Sequence, residues 1–277
     1  AGGIVAENTA GKTISNCENH GNVTSSDGYA GGIAALNEGT IADCSVSGTD
    51  AAMVTIQSRG TTEIGAVTAV NNGTITASAA AGNVILNGQA VIFGGITGVN
   101  NGTVGNTTDF AISYMPQIES TGQQLTVGGA VGVNNGEVQH LLANLDFVNF
   151  NSYQYLGGIV GENGVADAAS TVTAAVKDSS YSGTITENGG TAGNCYGGIS
   201  GINYASLENC KIDQINMTVV GVYTATSTST AEQKEQLASH AGGITGKNET
   251  TGVITGCLIT DTEKSSMSAQ YGMLGGV

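Results

Sequence analysis

A pair of glycines, or a glycine followed by alanine, returns nine times along this chain, and that recurrence constrains the fold more than anything else in it. The anchors are Gly2-Gly3, Gly31-Gly32, Gly65-Ala66, Gly94-Gly95, Gly128-Gly129, Gly157-Gly158, Gly197-Gly198, Gly242-Gly243 and Gly275-Gly276, at intervals of 29 to 45 residues. The first glycine never varies; the second does so once, at Ala66. A fixed period of this size identifies a repeat array in which each unit buries its apolar face only by stacking on its neighbours.

The residues after each anchor alternate with period two. The first of them is Ile4, Ile33, Val67, Ile96, Ala130, Ile159, Ile199 or Ile244. Two further on is always Gly or Ala, and two beyond that is always Asn: Asn8, Asn37, Asn71, Asn100, Asn134, Asn163, Asn203 and Asn248. Alternation of fixed and free positions marks a strand with one buried face, here apolar, small, Asn. A second strand comes after a turn, as in Thr40-Ile41, Thr74-Ile75 and Thr103-Val104, and Ile14, Val172, Leu207 and Ile254 are assigned to its apolar column. Three residues on lies another column, read as Cys17, Cys44, Ser78, Thr107, Leu141, Ala175, Cys210 and Cys257. An offset of three breaks the alternation, which places a corner at the polar residues between, such as Asn16, Asp43 and Asn209. A weaker third strand lies around Val23, Val84, Phe147 and Ile185.

Three short strands and their corners make one coil of a parallel β-helix. The expectation is therefore an all-β chain, a single continuous solenoid over 1–277, with about eight coils of 29 to 45 residues. The long seventh coil carries a Thr/Ser run and a helix-favouring stretch. Residues 224–239 are read as a surface insertion with a short helix. The sequence opens and closes on an anchor, so flanking repeats of the same protein are expected as neighbours.

The asparagine column is expected to be structural. An inward amide has two donors and an acceptor, so identical residues in successive coils form a ladder and satisfy backbone groups at a corner. Cys17/Cys44 and Cys210/Cys257 hold matching positions in adjacent coils. Their Cα atoms, ~4.8 Å apart, allow a bridge, but parallel side chains leave the Cβ atoms further apart than a disulfide prefers. Inward, reduced thiols are expected, with bridging as the alternative.

With these columns in place, the residues resemble the GLUG repeat. Gly32-Ile33 through Asn37-Glu38-Gly39-Thr40-Ile41-Ala42-Asp43-Cys44 has its pattern, and Gly158-Ile159-Val160-Gly161-Glu162-Asn163-Gly164 matches its start. The resemblance implies a bacterial extracellular protein, secreted or held at the cell surface, often an adhesin. Some immunoglobulin A peptidases carry such repeats outside their catalytic part. The resemblance brings no catalytic residues.

Composition agrees with a non-enzymatic role. Net charge is −15, from 22 acids against 7 bases. That argues against nucleic acid and anionic membrane surfaces as partners, and no apolar run is long enough to span a bilayer. No catalytic, cofactor-binding or metal-ligating set is read; the five cysteines show no CxxC spacing. His20, His140 and His240 occupy unrelated repeat positions and are read as solvated. The densest acids, Glu162, Asp167, Asp178 and Glu187, are the candidates for a calcium or sugar site. The leading expectation is a rigid structural or adhesive spacer, self-associating into a fibre or joined to flanking repeats. The alternative is a solenoid face that binds a host or glycan ligand, carried by aromatics that include Tyr114, Tyr181 and Tyr196 and centred on Tyr153 and Tyr155. A polysaccharide-acting enzyme comes last.

Overall fold

The computed structural model describes every residue except 27, 50, 61–62, 90–91, 121–124, 151–152, 167–172, 188–192, 221–237, 261–263, 271 and 276–277. Among the described residues every regular element is a β-strand, 38 in all, and the strands assemble into six sheets. Each strand-to-strand pairing is parallel and joins equivalent positions of successive coils: Gly65 to Gly94, Asn71 to Asn100, Ile75 to Val104. The chain is a parallel β-solenoid.

Three of the sheets have eight strands and run through all the coils. One ends at the anchor, as in Ile92–Gly94; one carries the asparagines, as in Thr97–Asn100; one carries the Thr-Ile pairs, as in Thr40–Ala42. The remaining strands form smaller sheets along the rest of each coil. Most coils therefore contain five short strands, not the three expected from the sequence. In the sixth and seventh coils two segments fuse into the long strands Ser180–Glu187 and Lys211–Val220. The additional breaks come from corners too tight to interrupt the hydrophobic pattern.

One corner is built from left-handed backbone. Asn16, Asp43, Ala77, His140, Asp178 and Asn209 have φ between 44° and 54°. Asn and Asp tolerate this region because their short polar side chains bond locally. The residue after each turns inward, which is why an offset of three separates the two apolar columns. The same geometry corrects three assignments. In the fourth coil Thr107 is exposed, and Phe110, three residues later, pairs with Leu141. In the sixth coil Val176, not Val172, pairs with Val138 and Leu207, and Ala175 sits in the threonine column beside Glu137 and Ser206. The inward position after the corner is filled in that coil by Ser179, whose hydroxyl accepts from the Leu141 amide at 3.1 Å. The sixth coil takes up its extra residues ahead of this strand, so counting from the anchor lands four residues early.

The anchor explains its own constancy. A methyl on Gly94 or Gly128 would run into the carbonyl oxygen three residues ahead in the same turn, that of Thr97 or Val131. A methyl on the second glycine meets a carbonyl of the next coil, as Gly129 meets Gly158. A neighbouring coil can shift slightly and a tight turn cannot, which accounts for Ala66 at the second position. The Gly/Ala column is also steric: Gly132 faces Phe93 O and the Ile92 side chain of the strand that precedes the anchor below.

The core is a continuous stack of small and branched side chains such as Ile33, Ile41, Ile56, Ile96 and Ile159, all fully buried. The residue after the Ile column is buried as well: Ala34, Thr68, Thr97, Val131, Val160 and Ser200 are each at 0% exposure. Alternation alone leaves this position free. It is covered because the chain folds back at the anchor, and Thr68 satisfies its hydroxyl on Val70 O at 3.1 Å.

Of the insertion expected over 224–239, all but Ala238 and Ser239 lies outside the described residues. Those two are buried, and Ser239 opens the strand Ser239–Gly242. The solenoid therefore resumes before the expected boundary. No helix of the described residues is long and apolar enough to cross a membrane.

Candidate functional site

The most regular polar feature is the asparagine column. Nδ2 of Asn8 donates to Oδ1 of Asn37 at 2.7 Å, and the pattern repeats through Asn71, Asn100, Asn134, Asn163, Asn203 and Asn248 with no distance above 2.9 Å. Each amide does more than hold its neighbour. Asn100 Nδ2 also reaches Gly102 O at 3.3 Å in its own turn and Glu137 O at 3.2 Å in the next coil. These carbonyls fix which end of the amide is nitrogen, so the row has one sense throughout. The asparagines from Asn37 to Asn203 are at 0% exposure. A ligand has no access to them, and the column is structural.

The cysteine column divides into two pairs. Cys44 and Cys210 are buried, Cys17 and Cys257 half-buried, and all five cysteines are free thiols. Each of the four column thiols donates to a backbone carbonyl, as Cys44 does to Ala42 O at 3.2 Å and Cys210 to Val176 O at 3.4 Å. Interaction with the neighbouring Cys257 thiol, and then burial, hold the Cys210 thiol above its usual range, while the same interaction shifts Cys257 down. Cys195 lies in a different sheet, stacked between Tyr155 and His240, and burial pushes its thiol up to about 12.

This third group also includes Glu162. Its carboxyl is raised to about 7 by burial. Burial raises the Tyr155 hydroxyl too, next to Cys195 and Glu162, and Tyr155 shares a hydrogen bond with Tyr204. Lys247, in the same register column as Glu162, pairs with Glu249 at 2.8 Å. His240 belongs to this stack and is 9% exposed. It is therefore not the solvated histidine expected from sequence; the strand that carries it is covered by the fold-back at the anchor. His20 is exposed as expected, and its hydrogen bonds to Ser47 O and Glu18 raise its pKa.

The other acids do not converge. Asp178 meets Asn209 at 3.1 Å in a shallow cleft of about 380 Å³ that also holds Asp109, His140, Lys211 and Asp213. Glu187 is buried beside Tyr196 and Asn194, and burial raises its carboxyl. Asp167 lies outside the described residues. Among the described residues no three His, Cys, Asp or Glu side chains are placed to hold a metal ion.

The aromatic surface anticipated from sequence is largely interior. Tyr181 and Tyr196 are core residues at 0% and 1% exposure, with the Tyr181 hydroxyl on Leu145 O at 2.9 Å. Tyr114 is half-buried and accepts from the Val84 amide. Tyr155 is half-buried, and the side chain of Tyr153 lies outside the described residues.

A second cleft, of about 520 Å³, opens where the strands Val54–Ser58, Val84–Gly88 and Gln117–Ser120 end. Gln57, Asn87 and Glu119 share one register column there, and Arg59 lies on the rim. Sequence reasoning missed it. Its residues belong to single coils and repeat nowhere; the only signal was that Arg59 is the sole arginine.

No protein-family model, no curated protein and no solved structure matches this chain.

Proposed function

We propose that this chain is a structural and adhesive repeat segment of a bacterial extracellular surface protein or filament, and that it acts as a rigid spacer. The observation that carries the proposal is the uninterrupted amide row, which ties every coil to the next through buried hydrogen bonds. A stack joined at each step, with parallel strands in register from end to end, transmits load along its axis without a weak joint. Eight coils at strand spacing make a rod roughly 40 Å long. The resemblance of the repeats to GLUG units and the acidic, arginine-poor composition support the same reading.

Surface exposure is tested directly. Antibodies against the chain should label intact cells of the source organism as strongly as lysed ones. Labelling that requires lysis removes the extracellular assignment. Small-angle scattering of tandem copies of the chain tests the spacer: the longest dimension should grow by roughly 40 Å with each copy added, and growth like that of a compact particle overturns it.

A further inference from the structure

The cleft at the ends of Val54–Ser58, Val84–Gly88 and Gln117–Ser120 has the chemistry of a binding site. Its wall is a pre-ordered polar row. Gln57 Nε2 donates to Asn87 Oδ1 at 3.1 Å, and Asn87 Nδ2 donates to Glu119 Oε2 at 2.9 Å. The other carboxylate oxygen of Glu119 accepts from Gln117 Nε2 at 3.1 Å. These bonds orient the groups without using them up. Each amide keeps a second N–H, and the oxygens keep free lone pairs. Gly88 and Ser58 also line the cleft, packed so closely that a methyl on Gly88 would run into Ser58 O.

Arg59 completes the site. Lys177, Lys211 and Lys247 are each paired with a carboxylate, to Glu137, Asp213 and Glu249. Arg59 has no ion pair among the described residues, although the chain carries 22 acids against 7 bases and Glu119 lines the same cleft. Glu119, held in place by Asn87 and Gln117, stands two strands away from the strand that Arg59 follows, with Asn87 between them. A guanidinium left with its donors free matches a carboxylate two-pronged.

We propose that this cleft binds a short saccharide bearing a single carboxylate. The carboxylate sits on Arg59, and the ring hydroxyls meet Gln57, Asn87 and Glu119, one polar group per coil. Amides and a carboxylate alternate donors and acceptors as vicinal hydroxyls do. Charge sets the ligand's orientation: its carboxylate is repelled by Glu119 and drawn to the other end of the row. A polyanionic chain is disfavoured by the net charge of −15, which limits the ligand to one carboxylate near the site. Among the described residues no aromatic lines the cleft, so a flat apolar ligand finds no surface on them. The inference is independent of the spacer role, since a binding cleft on a coil edge serves equally in a protein that is not on a cell surface.

The test uses the whole chain, with glucuronate as the probe, glucose as its neutral counterpart and acetate as the carboxylate alone. Each is titrated while the backbone amide signals are monitored by nuclear magnetic resonance. Glucuronate should shift Gln57, Asn87 and Gln89 and bind at least about tenfold (about 1.4 kcal/mol) more tightly than glucose or acetate. Arg59→Gln should abolish that preference, and Arg59→Lys should restore part of it. Arg59 is exposed, so both variants should keep the parent's melting temperature. Unchanged glucuronate binding by Arg59→Gln, equal binding of glucose and glucuronate, or no shifts in the cleft with any probe would each overturn the proposal.

Discussion

Removing one asparagine from the row leaves a gap on both sides of it. In Asn134→Ala, Asn100 loses its acceptor, Asn163 loses its donor, and Gly136 O and Ala175 O lose the amide that reaches them at 3.1 and 3.2 Å. Buried groups left unpaired destabilise by about 1–3 kcal/mol, so the urea midpoint should fall by the corresponding amount. A midpoint equal to the parent's would mean that water or backbone movement replaces the amide. Glu162 should act in the opposite sense. Its carboxyl titrates at about 7 in the fold against 4.5 ordinarily, because burial favours the neutral form. Between those values the folded state holds a proton that the unfolded chain has released, so stability falls as pH rises through the window. Glu162→Gln should flatten this fall, most visibly when melting temperatures at about pH 5 and about pH 8 are compared. An identical pH slope in the variant would show that the carboxylate is solvated. The asparagines were legible because the same demand returns in every coil. Glu162 was visible only as an acid among acids, since its environment is made by Tyr155 on another strand and Tyr204 in a turn of the next coil.

At the scale of the strand and its corner, the left-handed residues are the informative ones. Asn16, Asp43 and Asn209 could be placed from sequence because their type suits the turn. Ala77 and His140 take the same conformation with no side chain that advertises it. Ala77 is exposed and carries the left-handed strain uncompensated, so Ala77→Asn should stabilise the protein by about 0.5–1 kcal/mol. Thermal unfolding checks this, and no gain would mean that the corner relaxes at no cost. The same corners aim the cysteines. Each of the four column thiols is tied to a carbonyl two residues back, which turns the sulfurs along their own strands. Alkylation under non-reducing, denaturing conditions should therefore label all five thiols. A mass short by a pair of labels would establish a bridge across adjacent coils. Strand positions were readable wherever the coil length was constant. They slipped at Val172 and Ala175 because the sixth coil lengthens ahead of the strand, and at Thr107 because the fourth coil adds residues at its corner before Phe110; periodicity carries no information inside an irregular turn.

For the whole molecule, equivalence of the coils predicts that one can be taken out. Gly94 and Gly128 are register partners, so deleting residues 94–127 joins Phe93 to Gly128 in the geometry that Gly94 now has. The shortened chain should keep its β-sheet circular dichroism and unfold cooperatively, with Asn71 bonded to Asn134. Deleting only 94–111 should not fold, because it puts corners opposite strands. If both deletions behave alike, the coils are not interchangeable units. The all-β solenoid was legible at this scale because the repeat itself is the fold; the Arg59 cleft was not, because nothing about it repeats. The amide row also has a direction. Every link from Asn8 to Asn248 donates towards the higher-numbered coil, so the side-chain dipoles add as peptide dipoles do in a helix. The rod is therefore an electrical vector: the Asn8 face offers oxygen and the Asn248 face offers N–H. A coil that docks on one face is the wrong way round for the other, which means that any assembly continuing this row grows with a head and a tail.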